Sequence, residues 1–575
     1  MTLEKAKDDK VIVNVLFFIF LTDWEEQPNN SYDIIRRLTG RICRRRALYL
    51  SLLSENIVHE DPQESERPAI SPRKMAGIFE ILCGVAAIVS LLYYYMTSSF
   101  DFWKVRGVKG PKPSLLFGNI KDIIFQRKPL TQYLIEIYNE YKNEPFIGIF
   151  FRSTPILVMK DPQLIKDVLI KDFSLFPQRG TPVTEKAEPL SQHLVFLEAA
   201  RWRPLRNKLS PAFTSGKLKE MFHLILECAD HLEKYLNKIP ENDIVEFREL
   251  TAKFSTDVIG NCAFGIEMNA LSDEESEFRK MGREVFRTSL KKTIRFRIRE
   301  SFPRVYNQLG FLFDDGGVTK FFVNIIKETI DYRKKNNIVR HDFVNILMEL
   351  KDNPDKLGDE IEFTDSLLAS QAFVFFAAGF ETSSTTMSHA LYELAQHQDM
   401  QDKLRKEIRE EFKRNDGTLK YESIKTMPYL HAVFQETLRK YPAGPLLFRE
   451  CLAPSYTFEG TKVTIPKNQK LLIPIVALHH DPEIYPNPDN FDPERFITME
   501  KIDETNYMPF GRGPRNCIGE RFAVYQTKVG LITFLRNHRV DVCEQTEIPY
   551  VVDPASFLLA PKGGIHLKIT KVSET

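Results

Sequence analysis

Ten residues near the C-terminus, Phe510-Gly511-Arg512-Gly513-Pro514-Arg515-Asn516-Cys517-Ile518-Gly519, combine one thiol with three glycines and a proline. The glycines and the proline require an irregular, tightly folded backbone just ahead of Cys517. The run that follows, with Ile518, Phe522, Val529, Leu531 and Ile532 and few breakers, reads as a helix. A thiolate at a helix N-terminus is stabilised by free N–H groups and by the macrodipole, so a lowered thiol pKa is expected. A turn that also aims N–H groups at the sulfur suits a metal-bound thiolate. Arg515, two residues earlier, is placed to meet a carboxylate of a bound group, and Gly519 leaves room for a flat macrocycle. A buried structural cysteine in a Gly-rich turn is the competing reading.

A second stretch departs from what burial alone demands. A long apolar helix is predicted from an N-cap at Thr364-Asp365 to about Gln398, and its middle reads Ala378-Gly379-Phe380-Glu381-Thr382-Ser383-Ser384-Thr385-Thr386. Gly379 removes a side chain where something must come close, and the hydroxyls can capture backbone carbonyls and open the helix locally. Hydroxyls that merely pack a helix core are the alternative. Glu436 and Arg439 stand three apart on a helix predicted over Tyr429 to Lys440 and share a face, which is also common on surfaces. The proline-bounded loop Pro488 to Phe496 supplies Arg495, and Trp202 and Arg206 lie four apart in Arg201-Trp202-Arg203-Pro204-Leu205-Arg206.

Together these segments resemble the cytochrome P450 family, the haem-thiolate monooxygenases. The match rests on Phe510, Gly511, Arg515, Cys517 and Gly519, with Pro509 before and Glu520-Arg521-Phe522-Ala523 after, and it covers about residue 76 to the C-terminus. The resemblance implies haem b with Cys517 as axial iron ligand and Phe510, Gly511 and Gly519 beside it. It implies NADPH reached indirectly through NADPH–cytochrome P450 reductase, with cytochrome b5 as a further partner. It implies an oxygen-binding groove at Ala378-Gly379, where Glu381 and Thr382 help deliver protons to dioxygen. Glu436, Arg439 and Arg495 would form a structural triad behind the haem pocket, in which losing one partner strands buried charge. Trp202, Arg206, Arg449 and Arg515 would meet the haem carboxylates, which arginine forks suit. By position, Phe376, Ala377 and Ala378, then Gly444 to Leu447 with Leu446, and Phe557 to Leu559 with Leu558, would line the substrate pocket. All are apolar or small, so hydrophobic substrates are expected. Arg203, Arg512, Arg521 and Lys528 would give a basic face for an acidic reductase. Phe213 to Lys217 and Ala477 to Pro482 resemble the insect microsomal family-six branch, and the linker resembles bee members of it. Enzymes of that branch oxidise plant toxins, pesticides and endogenous lipids.

The elements that must position these groups are mostly helices. Helical patterns dominate from about residue 119, with short strand-like runs near 146–159, 445–476 and 550–570, which predicts a mainly α catalytic domain over 119–575 with small sheets. Gly77 to Met96 is a largely apolar run with Glu80 as its one charge and Tyr93 to Tyr95 as an interfacial belt, so a membrane anchor helix is expected over 75–97. A cleaved signal peptide is the competing reading. Lys104, Arg106, Lys109 and Lys112 then orient the catalytic domain to the cytoplasmic side of the endoplasmic reticulum membrane, against Arg73 and Lys74 on the other flank. Gly107 to Pro113 reads as a stiff hinge within a linker over 98–118. Residues 1–74, with an apolar patch at Val11 to Leu21 and a basic cluster at Arg41 to Arg46, are either an upstream extension ahead of an alternative start at Met75 or a lumenal or disordered tail.

Lys plus Arg is 79 against 78 acidic residues, so no global field favours nucleic acid as a partner. Seven scattered cysteines without a CxxC pair suit a reducing compartment without a disulfide framework or zinc site. The expectation is an anchored haem-thiolate monooxygenase that inserts one oxygen atom of O2 into small hydrophobic substrates. A haem-thiolate isomerase or dehydratase would have no use for Glu381-Thr382, and a non-catalytic haem-based binding protein is the rival of another class.

Overall fold

The computed structural model describes residues 72–572, apart from 273–275, 288, 314, 316, 341, 354–360, 499–503 and 557. Nearly all of the extension expected over 1–74, and Phe557, lie outside the described residues. The chain is mainly helical, with small sheets at the side.

Thr364 opens the central helix Asp365–Gln396, its hydroxyl accepting from the Leu367 N–H at 3.1 Å. The sequence of this helix is apolar almost all round because neighbours cover most of its faces. Helix Phe247–Ile259 crosses it, with the Thr251 hydroxyl donating to the Ser384 carbonyl at 3.1 Å. Helix Glu520–Asn537 closes the junction at Gly530, where a Cβ would stand 2.3 Å from Met387 Sδ and 2.9 Å from the Phe254 ring. Only glycine lets the three helices meet there.

The strands are β1 (Phe146–Phe151), β2 (Thr154–Met159), β3 (Ile244–Glu246), β4 (Leu447–Glu450), β5 (Ser455–Thr457), β6 (Thr464–Pro466), β7 (Lys470–Ile473), β8 (His538–Asp541) and β9 (His566–Lys571). One sheet runs β1-β2-β7-β4, with β2 parallel to β7 and the other pairs antiparallel. The others are β3-β9-β8 and β5-β6. Strands β3 and β8 were not expected: each is short and joins β9 from a helix-rich stretch. The register Arg449↔Leu471 carries Arg449 into the interior.

The segment expected to be a hinge is tied along β1. The Gly148 N–H donates to the Lys109 carbonyl at 2.8 Å, and a Cβ on Gly110 would lie 1.9 Å from the Gly148 carbonyl oxygen. Just before it, Trp103 is buried and donates its indole N–H to the Ile149 carbonyl at 3.1 Å. Farther upstream, helix Pro72–Thr97 is continuous over 26 residues, and Phe79, Ile81, Leu82 and Tyr94 are exposed. Among the described residues no helix is long and apolar enough to cross a membrane.

Candidate active site

The cysteine loop is set by two glycines in the left-handed region, Gly511 at φ +70° and Gly513 at φ +74°. A Cβ on Gly513 would also stand 1.9 Å from the Leu169 carbonyl oxygen, so no other residue fits. The Cys517 N–H donates to the Phe510 carbonyl at 2.8 Å, and the Phe510 ring lies against Phe434. Helix Glu520–Asn537 follows, with Gly519 at its N-cap, where a Cβ would meet open space. The thiol faces a cavity of about 700 Å³ that Phe510, Gly511, Arg515 and Gly519 also line.

The lowered thiol pKa expected from the helix start is overturned. Burial pushes the Cys517 thiol above its ordinary value; the Gly519 N–H opposes the rise, Glu520 adds to it, and Arg206 and Arg179 oppose it. Cys517 is exposed on the wall of this cavity. Desolvation therefore governs.

Three arginines line the cavity beside the thiol, and a fourth lies next to them. Arg206 donates to the Asn516 carbonyl at 3.0 Å and to its side-chain oxygen at 2.9 Å. Arg515 donates to the Val195 and Leu197 carbonyls and lies 4.5 Å over the Trp202 ring. Arg179 donates to the Val195 and Arg515 carbonyls. Arg449, fully buried on β4, stands behind the cavity wall rather than on it and donates only to the Phe448 carbonyl. Among the described residues Arg449 Nε and Nη2 and Arg515 Nε have no hydrogen-bond partner. Burial, then neighbouring cations, hold Arg449 well below its ordinary range and push Arg515 down to about 9. Burial also pushes Arg179 down to about 10, against the pull of Cys517. Arg179 escaped the sequence reading because its irregular chain has no periodicity to mark an inward face.

The central helix forms another wall. Phe373, Ala377, Ala378 and Thr382 line the cavity, but Phe376 does not. It is buried among Phe264, Phe278, Phe322 and Phe380. Leu446 likewise turns into the sheet core, whereas Leu447, Gly444 and Leu558 line the cavity. The Thr382 hydroxyl donates to the Ala378 carbonyl at 2.7 Å, and Thr386 to that of Thr382 at 2.9 Å. Hydroxyls thus capture carbonyls as expected, yet the helix stays continuous and does not open. The group that comes close at Gly379 is Ile259, whose Cδ1 would be 2.3 Å from a Cβ. Glu381 is buried on the same wall, with its carboxylate 2.5 Å from Arg248 Nη2.

Glu436, Arg439 and Arg495 come together away from the surface. Arg439 donates from Nε and Nη2 to the two Glu436 oxygens at 2.7 and 2.8 Å, and from Nη1 to the His479 carbonyl. Arg495 Nε lies 3.5 Å from Glu436 Oε1, which also accepts from the Asp492 N–H. The expected basic face is smaller than the sequence implied. Arg203 and Arg521 are exposed, but Arg512 is tied to Glu504 and the Tyr507 carbonyl. Lys528 is buried and donates to the Ile424 carbonyl at 3.0 Å, so it cannot face a partner.

The sequence profile of the family described as Cytochrome P450 matches residues 108–568. Cytochrome P450 6A1 of Musca domestica is 40% identical over 499 residues, covering 86% of this chain and 98% of that protein. Cytochrome P450 6a2 of Drosophila melanogaster is 40% identical over 509 residues, covering 86% and 100%. Cytochrome P450 6k1 of Blattella germanica is 39% identical over 513 residues, covering 86% and 98%.

Proposed function

The chain belongs to the cytochrome P450 family, and from that premise we propose that the cavity beside Cys517 is its haem and substrate chamber, in which the Cys517 sulfur would hold the iron. It is a haem-thiolate monooxygenase that uses haem b and takes electrons from NADPH through a reductase. The donor set fits haem. A thiol on a glycine-built loop faces a cavity of about 700 Å³, and buried guanidinium donors beside it are left unpaired. Those unpaired donors carry the reading, because a buried cation without a partner is costly and a carboxylate is its natural complement. Arg179, Arg206 and Arg515 with Trp202 would hold the carboxylate side, and Arg449 behind the wall would add positive charge to it.

Haem bound there supplies dioxygen binding and O–O cleavage, which a thiolate ligand favours. The surrounding residues bind, orient and move protons. Thr382 holds its hydroxyl on the Ala378 carbonyl at the cavity surface, where it can keep a water in place, and Glu381 behind it is the acid. Phe373, Ala377, Leu447 and Leu558 offer apolar surface, which suits small hydrophobic substrates such as xenobiotics, plant allelochemicals, pesticides and endogenous lipids. The isomerase and ligand-sequestering alternatives leave the Thr382–Glu381 pair without work.

Location and further partners belong to the same proposal. The chain sits on the endoplasmic reticulum membrane through a single-pass anchor over 75–97, supported by the apolar run Gly77 to Met96 and by the uncovered side chains of that helix. The catalytic body faces the cytoplasm, and Arg203 and Arg521 contribute to a docking face for the reductase and for cytochrome b5. The test of the core reading is Cys517→Ser. The reduced carbon monoxide complex should lose the Soret band typical of thiolate ligation, and a retained band would assign the iron to another residue.

A further inference from the structure

Residues 193–196, just after the turn Pro189–Gln192, line the cavity as irregular chain, and they are held from two sides. On the central helix Gln371 is fully buried. Its Oε1 accepts from the Leu194 N–H at 2.9 Å, and its Nε2 donates to the Gln192 carbonyl at 2.9 Å. The amide therefore brackets His193, and turned the other way it would set donor against donor. From the opposite side Arg179 and Arg515 donate to the Val195 carbonyl, and Arg515 also donates to that of Leu197. The His193 carbonyl accepts from the Phe196 and Leu197 N–H groups at 3.0 and 3.1 Å, which closes a turn. The backbone under the His193 side chain is thus fixed at every neighbouring residue.

The His193 ring lines the cavity, with its centroid 4.3 Å from the Phe196 ring and 6.2 Å from that of Phe373. Its Nδ1 is enclosed and has no hydrogen-bond partner among the described residues. Burial, then Arg179 and Arg299, hold the imidazole down at about 3, so it is neutral near pH 7. An enclosed N–H without an acceptor is costlier than an enclosed lone pair, which assigns the hydrogen to Nε2. With Nδ1 shut in, Nε2 is the edge that an occupant of the cavity can meet. Simple packing is the alternative. A phenyl ring would keep both aromatic contacts without burying a polar nitrogen, so packing alone gives the imidazole no use.

We propose that His193 is a specificity-determining residue whose Nε2–H donates to a carbonyl oxygen of the substrate, and that Gln371 is the positioning residue that fixes it. This rests on the substrate chamber proposed above. It narrows the hydrophobic substrates to those carrying a carbonyl acceptor, as in a lactone, an ester or a ketone.

The test uses the haem-loaded full chain and two probes of similar shape: 7-ethoxycoumarin, which carries a lactone carbonyl, and 2-ethoxynaphthalene, which lacks it. Binding is read from the Soret shift, without turnover. His193→Phe should weaken 7-ethoxycoumarin binding roughly fivefold, the scale of one neutral hydrogen bond, and leave 2-ethoxynaphthalene binding unchanged. The infrared stretch of the bound lactone carbonyl should be lowered in the unaltered protein and rise in His193→Phe. Gln371→Met should give the same selective loss and add none to His193→Phe. Gln371→Glu, whose buried carboxyl stays protonated and keeps both bonds, should retain the carbonyl preference. Full 7-ethoxycoumarin affinity in His193→Phe, equal losses for both probes or an unmoved carbonyl band would each overturn the role of His193. Full affinity in Gln371→Met, or a further loss in the double variant, would overturn the role of Gln371. Binding of neither probe by the unaltered protein would instead overturn the substrate chamber itself. If Gln371→Met fails to load haem, Gln371→Glu decides: it must keep the carbonyl band where the unaltered protein has it, and a shifted band overturns the positioning role.

Discussion

Two buried charge networks flank the cysteine loop, and they are built on opposite terms. Glu436, Arg439 and Arg495 contain their own anion: both Glu436 oxygens are engaged, Arg439 places its remaining donors on the His479 and Asn490 carbonyls, and Arg495 Nε, though without a hydrogen bond, lies 3.5 Å from Glu436 Oε1. The second network, Arg179, Arg206, Arg449 and Arg515, has cations only. Its hydrogen bonds go to carbonyls and to Asn516, and Arg449 and Arg515 keep unpaired nitrogens. A network that carries its own anion locks a fold. A network short of an anion marks where one is to be received.

Breaking the first network should have the largest effect. Glu436→Ala leaves two buried guanidinium groups without their carboxylate and should cost about 3–5 kcal/mol. Thermal unfolding and the yield of haem-loaded protein check this. A loss below about 1 kcal/mol, the range of exposed pairs, would erase the contrast.

Lys528 sharpens the same rule with a smaller effect. Burial pushes its amine from 10.5 down to about 8, against the pull of Glu407. Between about pH 8 and 10.5 the unfolded chain holds more protons than the folded one, so stability rises with pH across that window. Below pH 8 the full cost of the buried ammonium remains. Glu407 keeps its bonds from the Tyr429 and Leu430 N–H groups, and His431 is held neutral by burial and then by Lys528. Lys528→Met should therefore stabilise the protein near pH 7 by about 1–2 kcal/mol after losing the Ile424 bond. It should also flatten the alkaline rise in unfolding midpoint. A destabilised variant with the rise intact would contradict the assignment.

What the sequence disclosed follows the same physics. The Cys517 loop was legible because φ +74° and a 1.9 Å approach at Gly513 admit one residue type. Glu436 and Arg439 were legible as neighbours from their spacing of three, and Arg495 followed from the resemblance. The inward face of the central helix was not legible. It is covered on most sides, so apolar spacing cannot tell Phe373 and Ala377, which reach the cavity, from Phe376, which does not. Lys528 misled for the converse reason: a charge in the sequence reads as surface, and only packing reveals a buried one. The Cys517 pKa went the other way because helix-start stabilisation is visible in sequence and desolvation is not.

The most direct test of the central claim removes one cation from the network that lacks an anion. Haem loss from Arg449→Met, followed by transfer to an excess of a haem-scavenging apoprotein, should be roughly tenfold faster than from the unaltered enzyme, as expected when an unpaired buried cation behind the carboxylate side is removed. The unfolding midpoint measured before haem loss should not fall, since Arg449 pairs with no carboxylate among the described residues. Haem retained as tightly as in the unaltered enzyme would contradict the account.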